Sequence, residues 1–383
     1  MKLVLDGRVA IPRMTGAGRY IAELAQRLPS LDASLHVEVL LLPAMRATSI
    51  PDLLTKAGVK VHYVNVRIAT VRQWVLIPLV LERLRPDLYH YPFLDLPYVT
   101  FPSVVTIYDL NPILHPNYFE HFATLKRPVA RRLIRSTLRR CRAAMAISEA
   151  TRGRIRENYP ELAQKVRTVH LGIDLTAWTG NVTSDSGHPS DASDGQTLWR
   201  SRPYVLYVGV DRPHKNLVRL VGAFSRFRVT NEWQPGTGPY LRLAGVGEGS
   251  KELRAQVTQL SLGKDVRLDH ELDESSLRAA YLGAQAMVYV STSEGFGLPL
   301  LEAFACGVPV VTATASSLPE VAGDAAVYAN PQDEHAIAET LGRVWQDRDL
   351  RRTLADRGRE RVKEFSWDVT ARETLQTYYD VLR

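Results

Sequence analysis

The 383-residue chain predicts an α/β protein made of two doubly wound, Rossmann-like domains facing each other across a cleft. Three observations carry that expectation. Short apolar runs that read as strands alternate with helical periodicity along the whole chain. The length exceeds what one ordinary core accommodates. A polar stretch, TGNVTSDSGHPSDASDGQT (179–197), separates two strand-rich halves.

In the first half, strands are expected at KLVLD (2–6), VEVLLL (37–42), KVHYV (60–64), DLYHY (87–91), SVVTIYD (103–109), AAMAIS (143–148) and VRTVHLGID (166–174). In the second half they are expected at YVLYVGV (204–210), YLRLAG (240–245), DVRLD (265–269), AMVYVS (286–291), PVVTA (309–313) and AAVYA (325–329). Near-continuous apolar runs of this kind suit parallel sheets covered by helices. The polar stretch, rich in Ser, Asp and Gly, reads as a flexible linker over 179–199. The domains are therefore drawn at 1–178 and 200–365. The closing FSWDVTARETLQTYYDVLR returns to helical periodicity, and 366–383 is expected to pack back on the first domain as a helix.

Apolar residues make up 45% and charged residues 23%, the profile of a soluble globular protein. Cys141 and Cys306 are too few for a disulfide framework and fit a reducing cytosol. MKLVLDGRVAIP has one lysine and a short apolar run, which predicts no secretory signal, and WVLIPLVL (74–81) is too short to span a bilayer. The net charge of +7 favours anionic partners. Much of it lies in KRPVARRLIRSTLRRCR (126–142), which contains no acid and places Val129, Leu133, Ile134 and Leu138 at helical spacing. This basic amphipathic helix suits a solvated face or contact with an anionic membrane surface. Nucleic acid is disfavoured because no aromatic residues are interleaved for stacking. The expected location is cytoplasmic, with peripheral contact at the inner face of the membrane.

STSEGFGLPLLEAFACGVPVV (291–311) carries the chemistry. A strand leads into a glycine loop, Pro299 suits the first turn of a helix, and Gly307 suits its end. Unpaired N–H groups and the dipole at such a helix start favour an anion, and Gly295 and Gly297 leave room for a phosphate along the Gly295–Phe296–Gly297–Leu298 backbone. Glu294 and Glu302, as acceptors, suit pairs of hydroxyls on a sugar and on a ribose. The bare spacing is equally met by a helix cap and an ordinary helix acid.

The surrounding letters decide. EGFGLPLLEAFACGVPVV, continuing through TATASSLPEVAGDAAVYANPQDEHAIAETL, resembles the retaining glycosyltransferase family 4, whose fold is called GT-B. The resemblance implies that Glu294 contacts the transferred sugar and Glu302 the ribose. It implies that the turn in YVLYVGVDRPHKNLVRLVGAF (204–224) supplies cations to the donor diphosphate. Lys215–Asn216 matches that motif. Val210 and His214 stand where relatives carry the arginine, which leaves Arg212 as the nearest guanidinium and His214 as the alternative. Gly245, in LAGVGEGSKEL, matches a segment that passes the nucleotide base.

In the first domain, IPRMTGAGRYIAEL resembles the family's loop facing the donor phosphates, with Gly16, Gly18 and Arg19 as candidates. It is not the dinucleotide fingerprint, since Ile21 holds the third glycine position. VVTIYDLNPILHP places Tyr108, followed by Asp109, where the family usually has His-Asp. Tyrosine can donate one hydrogen bond to the sugar but, with a reference pKa of about 10, is a poor base. His115 is a possible substitute, and Ser148 in AISEATRGRI reads as a helix N-cap.

The implied activity is a retaining hexosyltransferase that takes its donor from a nucleoside diphosphate sugar, with the acceptor on the first domain. Neither metal nor cofactor is expected. GDP-mannose is preferred over UDP-sugars because the VVTIYDL form resembles members of bacterial polysaccharide synthesis. The acceptor is a lipid-linked glycan or a small soluble molecule. A nucleotide-sugar epimerase, a phosphorylase and a non-catalytic binding module remain the rivals.

Overall fold

The structure, a computed structural model, describes residues 1–12, 15–114, 123–179, 199 and 202–383. It contains two units: Met1–Gly172 with Ser366–Arg383, and Ile173–Phe365. Each is built on one parallel sheet.

The first sheet has the order β3-β2-β1-β4-β5-β6-β7, with β1 at Lys2–Asp6, β2 at His36–Leu41, β3 at Lys60–Tyr63, β4 at Leu88–Tyr91, β5 at Ser103–Ile107, β6 at Ala143–Ala146 and β7 at Val166–Thr168. The second has the order β10-β9-β8-β11-β12-β13, with β8 at Tyr204–Val208, β9 at Tyr240–Ala244, β10 at Val266–Leu268, β11 at Ala286–Tyr289, β12 at Val310–Ala313 and β13 at Ala326–Ala329. Strands β4, β5, β6, β11 and β12 are buried along their whole length, as two-sided covering by helices requires. Strand order reverses between β1 and β4 in one sheet and between β8 and β11 in the other. In doubly wound sheets, ligands settle beyond the carboxyl ends of such strands.

The first unit closes with the Trp367–Leu382 helix, capped by Ser366. Tyr378 there bonds His90 Nδ1 at 2.6 Å, while Thr106 bonds Nε2 at 2.8 Å. The ring is fully buried, and that burial lowers its pKa to about 3, so it stays neutral. Gly172 lies so close to this helix that a Cβ there would fall 2.1 Å from the Trp367 nitrogen.

Two sequence expectations need correction. The first unit ends at Gly172 rather than 178, because Ile173 N–H bonds the Phe365 carbonyl at 3.2 Å and Trp178 packs edge-on against Tyr281 at 5.6 Å, both in the second unit. For the same reason β7 covers only Val166–Thr168 and not 166–174: its last ladder bond is Val169 N–H to Ala146 O, after which the chain leaves the sheet. Residues 180–198 of the expected linker lie outside the described residues; its last residue, Trp199, packs on Tyr240 at 4.8 Å. His115 also lies outside them.

Candidate active site

The loop that leaves β11 and the turn that leaves β8 are fastened together. Lys215 ends the short Pro213–Lys215 turn, and Asn216 follows in the left-handed region at φ +65°. The Asn216 amide donates to Val290 O (3.0 Å) and Pro331 O (2.7 Å). Thr292 N–H donates to His214 O at 2.8 Å. From the other side, Ser316 Oγ accepts from Glu294 N–H (3.1 Å), and Ser317 Oγ donates to Phe296 O (2.7 Å). Gly297 then starts the Leu298–Ala305 helix at φ +117°, a conformation only glycine adopts without strain.

Glu294 is thereby aimed at Lys215. The Lys215 ammonium donates to Glu294 Oε1 (2.7 Å), to Oε2 (3.0 Å) and to the Tyr289 hydroxyl (2.8 Å). The side chains are 14% and 9% exposed. Burial alone drives the Glu294 pKa up, but the charge and hydrogen bonds of Lys215, with a contribution from His214, outweigh it and hold the carboxyl below the ordinary glutamate value. Beneath the pair, Tyr289 and Tyr207 stack with centroids 5.7 Å apart. Burial, then the nearby Glu294, raises the Tyr289 hydroxyl well above 10; Tyr207 is raised chiefly by burial. Both stay neutral, so Glu294 is the anion of this cluster and Lys215 its cation.

Eight residues along, Glu302 is buried on the helix, where its Oε2 accepts from the Tyr281 hydroxyl at 2.8 Å. Gly245, at φ +83°, sits against the turn after β8: a Cβ there would lie 3.3 Å from Gly209 O. Ser250 N–H bonds Asp211 at 2.7 Å, tying that glycine loop to the same turn. The ends of β8, β9 and β11 thus present Lys215, Glu294 and two glycine turns together. Among the described residues, no group of three or more His, Cys, Asp or Glu converges as a metal centre would.

The comparisons agree with this arrangement. A family model described as glycosyl transferases group 1 matches residues 191–361, and one described as glycosyltransferase family 4 matches residues 14–177. The chain belongs to glycosyltransferase family 4. It is 29% identical to the O-antigen chain mannosyltransferase B of Escherichia coli over 99% of both chains. It is 24% identical to the O-antigen chain mannosyltransferase RfbU of Salmonella typhimurium, over 64% of this chain and 61% of that one. Anabaena HepE, solved in complex with UDP-glucose, superposes with a TM-score of 0.71 at 19% identity, covering 99% of this chain and all of that one. The fold is GT-B, and the protein is a glycosyltransferase.

Within this glycosyltransferase, several expected residues take different parts. Phe296 is core: the residue is 3% exposed and its ring meets Phe365 edge-on at 5.7 Å, so its side chain is not presented to a ligand. Gly18 gives its N–H to the Thr15 hydroxyl (3.2 Å), which caps the helix beginning at Gly16 and so occupies a donor expected to meet phosphate. Asp109 accepts from Asn111 N–H (2.9 Å) and Nδ2 (3.0 Å), the work of a turn former. Tyr108 packs edge-on against Tyr20 at 5.8 Å, and its buried hydroxyl has no hydrogen-bond partner among the described residues; burial raises it well above 10. Arg212 is exposed at the start of the Lys215 turn, where its carbonyl accepts Lys215 N–H at 2.9 Å. His214 joins the cluster through its carbonyl and its charge. Ser148 caps the Glu149–Asn158 helix by accepting from Thr151 N–H at 3.0 Å.

Sequence reasoning missed Tyr289, Tyr207, Tyr281 and the Ser316–Ser317 latch. Tyr207 and Tyr289 sit in apolar strands and Tyr281 on the Glu274–Leu282 helix, and all three read as core. The serines in TASSLPE carried one usable signal, a polar pair directly before a helix.

Proposed function

We propose that this glycosyltransferase moves mannose from GDP-mannose to a hydroxyl of a lipid-linked glycan in polysaccharide synthesis, with retention and without a metal ion. The observation that carries the reading is the Lys215–Glu294 pair on the loops leaving β8 and β11, the two strands where the sheet order reverses. A diphosphate needs a fixed cation to take up charge as the sugar departs, and its oxygens suit the N–H groups at the start of the Leu298–Ala305 helix. Hydroxyls of the sugar suit the Glu294 carboxylate, and ribose hydroxyls suit Glu302. Mannose is favoured because both O-antigen relatives are named mannosyltransferases.

In this mechanism the bond from the anomeric carbon to the phosphate oxygen breaks as the acceptor oxygen arrives on the same face. The acceptor's proton passes to the departing phosphate. Lys215 stabilises the charge on that phosphate, more strongly in the transition state than in the bound donor. Arg212 and His214 are the further cations of the same turn. The enzyme works in the cytoplasm, and the basic helix near 126–142 touches the inner face of the membrane.

A thermal-shift series with GDP, UDP, ADP and their sugars tests the donor, since a ligand of the native state raises the melting temperature. Selective stabilisation by GDP and GDP-mannose supports the reading. Selective stabilisation by UDP-sugars replaces it with the second one, for which HepE, solved with UDP-glucose, is the precedent. Product anomers read by NMR test retention, and turnover abolished by EDTA refutes metal independence.

A further inference from the structure

The Gln73–Leu84 helix of the first unit buries Gln73, Ile77 and Leu81 in the core. Its opposite face breaks the usual rule that the solvent side of a helix is polar. Val71, just before the helix, and Val75 and Leu79 within it follow at four-residue steps and are 85%, 62% and 55% exposed. Beside this stripe, Tyr98 is 64% exposed and its ring lies 5.4 Å from Trp74. The Arg140 guanidinium sits 4.1 Å over Tyr98 and donates to Pro97 O at 2.6 Å. It ties the end of the Ala123–Arg140 helix to the aromatic pair.

That helix buries Ile134 and Leu138 and exposes Arg131, Arg132, Arg135 and Arg139. Val129, read from the sequence as part of the buried face, is 52% exposed beside them. Around the apolar stripe, Arg67, Arg72, Arg83 and Arg85 are also exposed. The opposing acids are fewer: Glu82 and Asp87 lie at the same end of the Gln73–Leu84 helix as Arg83 and Arg85, and Glu161 pairs with Arg135 at 3.4 Å.

An apolar stripe with an aromatic pair, set among arginines, has the chemistry of a surface that lies in a lipid headgroup layer. We propose that the first unit docks on an anionic bilayer through Val71, Val75, Leu79 and Tyr98. The apolar side chains enter the boundary of headgroups and acyl chains while the flanking arginines bind lipid phosphates. This rests on the membrane reading of the basic helix made above and adds the apolar half of the contact. A second copy of the chain suits the face poorly, because a two-fold interface would bring the same arginines together.

The full chain is floated with vesicles of phosphatidylcholine alone and with vesicles that are one-third phosphatidylglycerol. The protein is expected on the anionic vesicles only. Val71→Ser/Val75→Ser/Leu79→Ser should lose at least about tenfold in partitioning, and the single Val71→Ser about threefold, with melting temperatures unchanged. Should the triple variant melt early, the single variant decides, since its side chain touches no core. Replacing Arg131, Arg132, Arg135 and Arg139 by glutamine should also release the protein. If the arginine variant is released while the stripe variants bind like the wild type, the inference is overturned and the basic helix alone makes the contact. A wild type that ignores anionic vesicles overturns both. A wild-type dimer that the stripe substitutions dissociate, without vesicle binding, assigns the face to a second copy and also overturns the inference.

Discussion

Replacing Lys215 by methionine keeps the length of the side chain and removes its charge, which leaves the buried Glu294 without the ammonium that it pairs with. Two unit charges 2.7 Å apart attract by about 6 kcal/mol at an effective dielectric near 20, before desolvation is subtracted. Breaking such a pair by removing one partner costs about 3 kcal/mol or more. In a unit of this size that corresponds to a drop of roughly 6–12 °C in melting temperature. The pH dependence carries the sharper signature. In the wild type the folded Glu294 pKa lies below 4.5, so its contribution is present above that value and drains away as pH falls through the lowered one. In the variant burial is opposed only by the smaller contributions of Ser291 and His214, and the folded pKa rises. Stability is then kept below 4.5 and lost as pH climbs through the raised value. The gap between wild type and variant should therefore be small near pH 4 and widest at pH 7 to 8, measured by calorimetry across that range. Adding Glu294→Gln removes the stranded charge and should recover about 2 kcal/mol. It should not recover turnover, which falls on the order of a hundredfold or more with the cation gone. A double variant no more stable than the single one, or a gap that does not vary with pH, refutes the coupling.

Tyr289→Phe removes a neutral acceptor of the Lys215 ammonium. Nucleoside diphosphate should bind about 2–10-fold more tightly by calorimetry, since a proton is released for phosphate; weaker binding would mean the hydroxyl only holds Lys215 in place. Tyr281→Phe should raise the KM for donor about 2–10-fold at unchanged kcat, because it loosens Glu302 without touching Lys215. Gly297→Ala, at φ +117° with Leu318 only 3.1 Å from the new Cβ, should cost about 1–3 kcal/mol in denaturant melts. His90 has a folded pKa near 3 against an ordinary 6.5, so its contribution is complete above 6.5 and is lost as pH falls toward 3. His90→Gln should flatten the acid side of the stability curve, by about 2 kcal/mol at pH 5.

The strands were legible because parallel sheets buried on both faces demand unbroken apolar runs, and glycine, proline and polar clusters punctuate them. The unit boundary was not. Residues 169–174 continue the apolar pattern of β7, yet whether they extend it depends on partners in the distant Phe365 and Tyr281 segments, which no local pattern encodes. Lys215 and Glu294 were singled out for a different reason: Lys215 lies in the polar turn DRPHKN and Glu294 before a glycine loop, and the resemblance of the surrounding letters, not the bare spacing, picked them. The floor of the site was hidden, because Tyr289 and Tyr207 are strand residues whose hydroxyls acquire a role only when β8 and β11 lie side by side. Phe296 misled in the opposite direction, being in the middle of the glycine loop but turned inward onto Phe365.

If Lys215 binds the donor phosphate as proposed, its cluster also explains how such a cation can be buried. The Lys215 ammonium has both Glu294 oxygens and the Tyr289 hydroxyl within hydrogen-bond distance. Burying the lysine alone would carry a desolvation penalty of several kcal/mol, which Glu294 offsets. A phosphate oxygen that reaches Lys215 must replace one of these acceptors. Tyr289 is the one least costly to give up, since it is neutral and its bond is worth less than a charge-assisted one. In the proposed mechanism Glu294, bound to the same ammonium, would then remain beside the leaving phosphate with its outer lone pairs free for sugar hydroxyls. On this reasoning the acid is needed twice, first to hold the cation where the diphosphate arrives and then to orient the sugar. Substituting it should therefore damage donor binding and turnover together rather than either one alone.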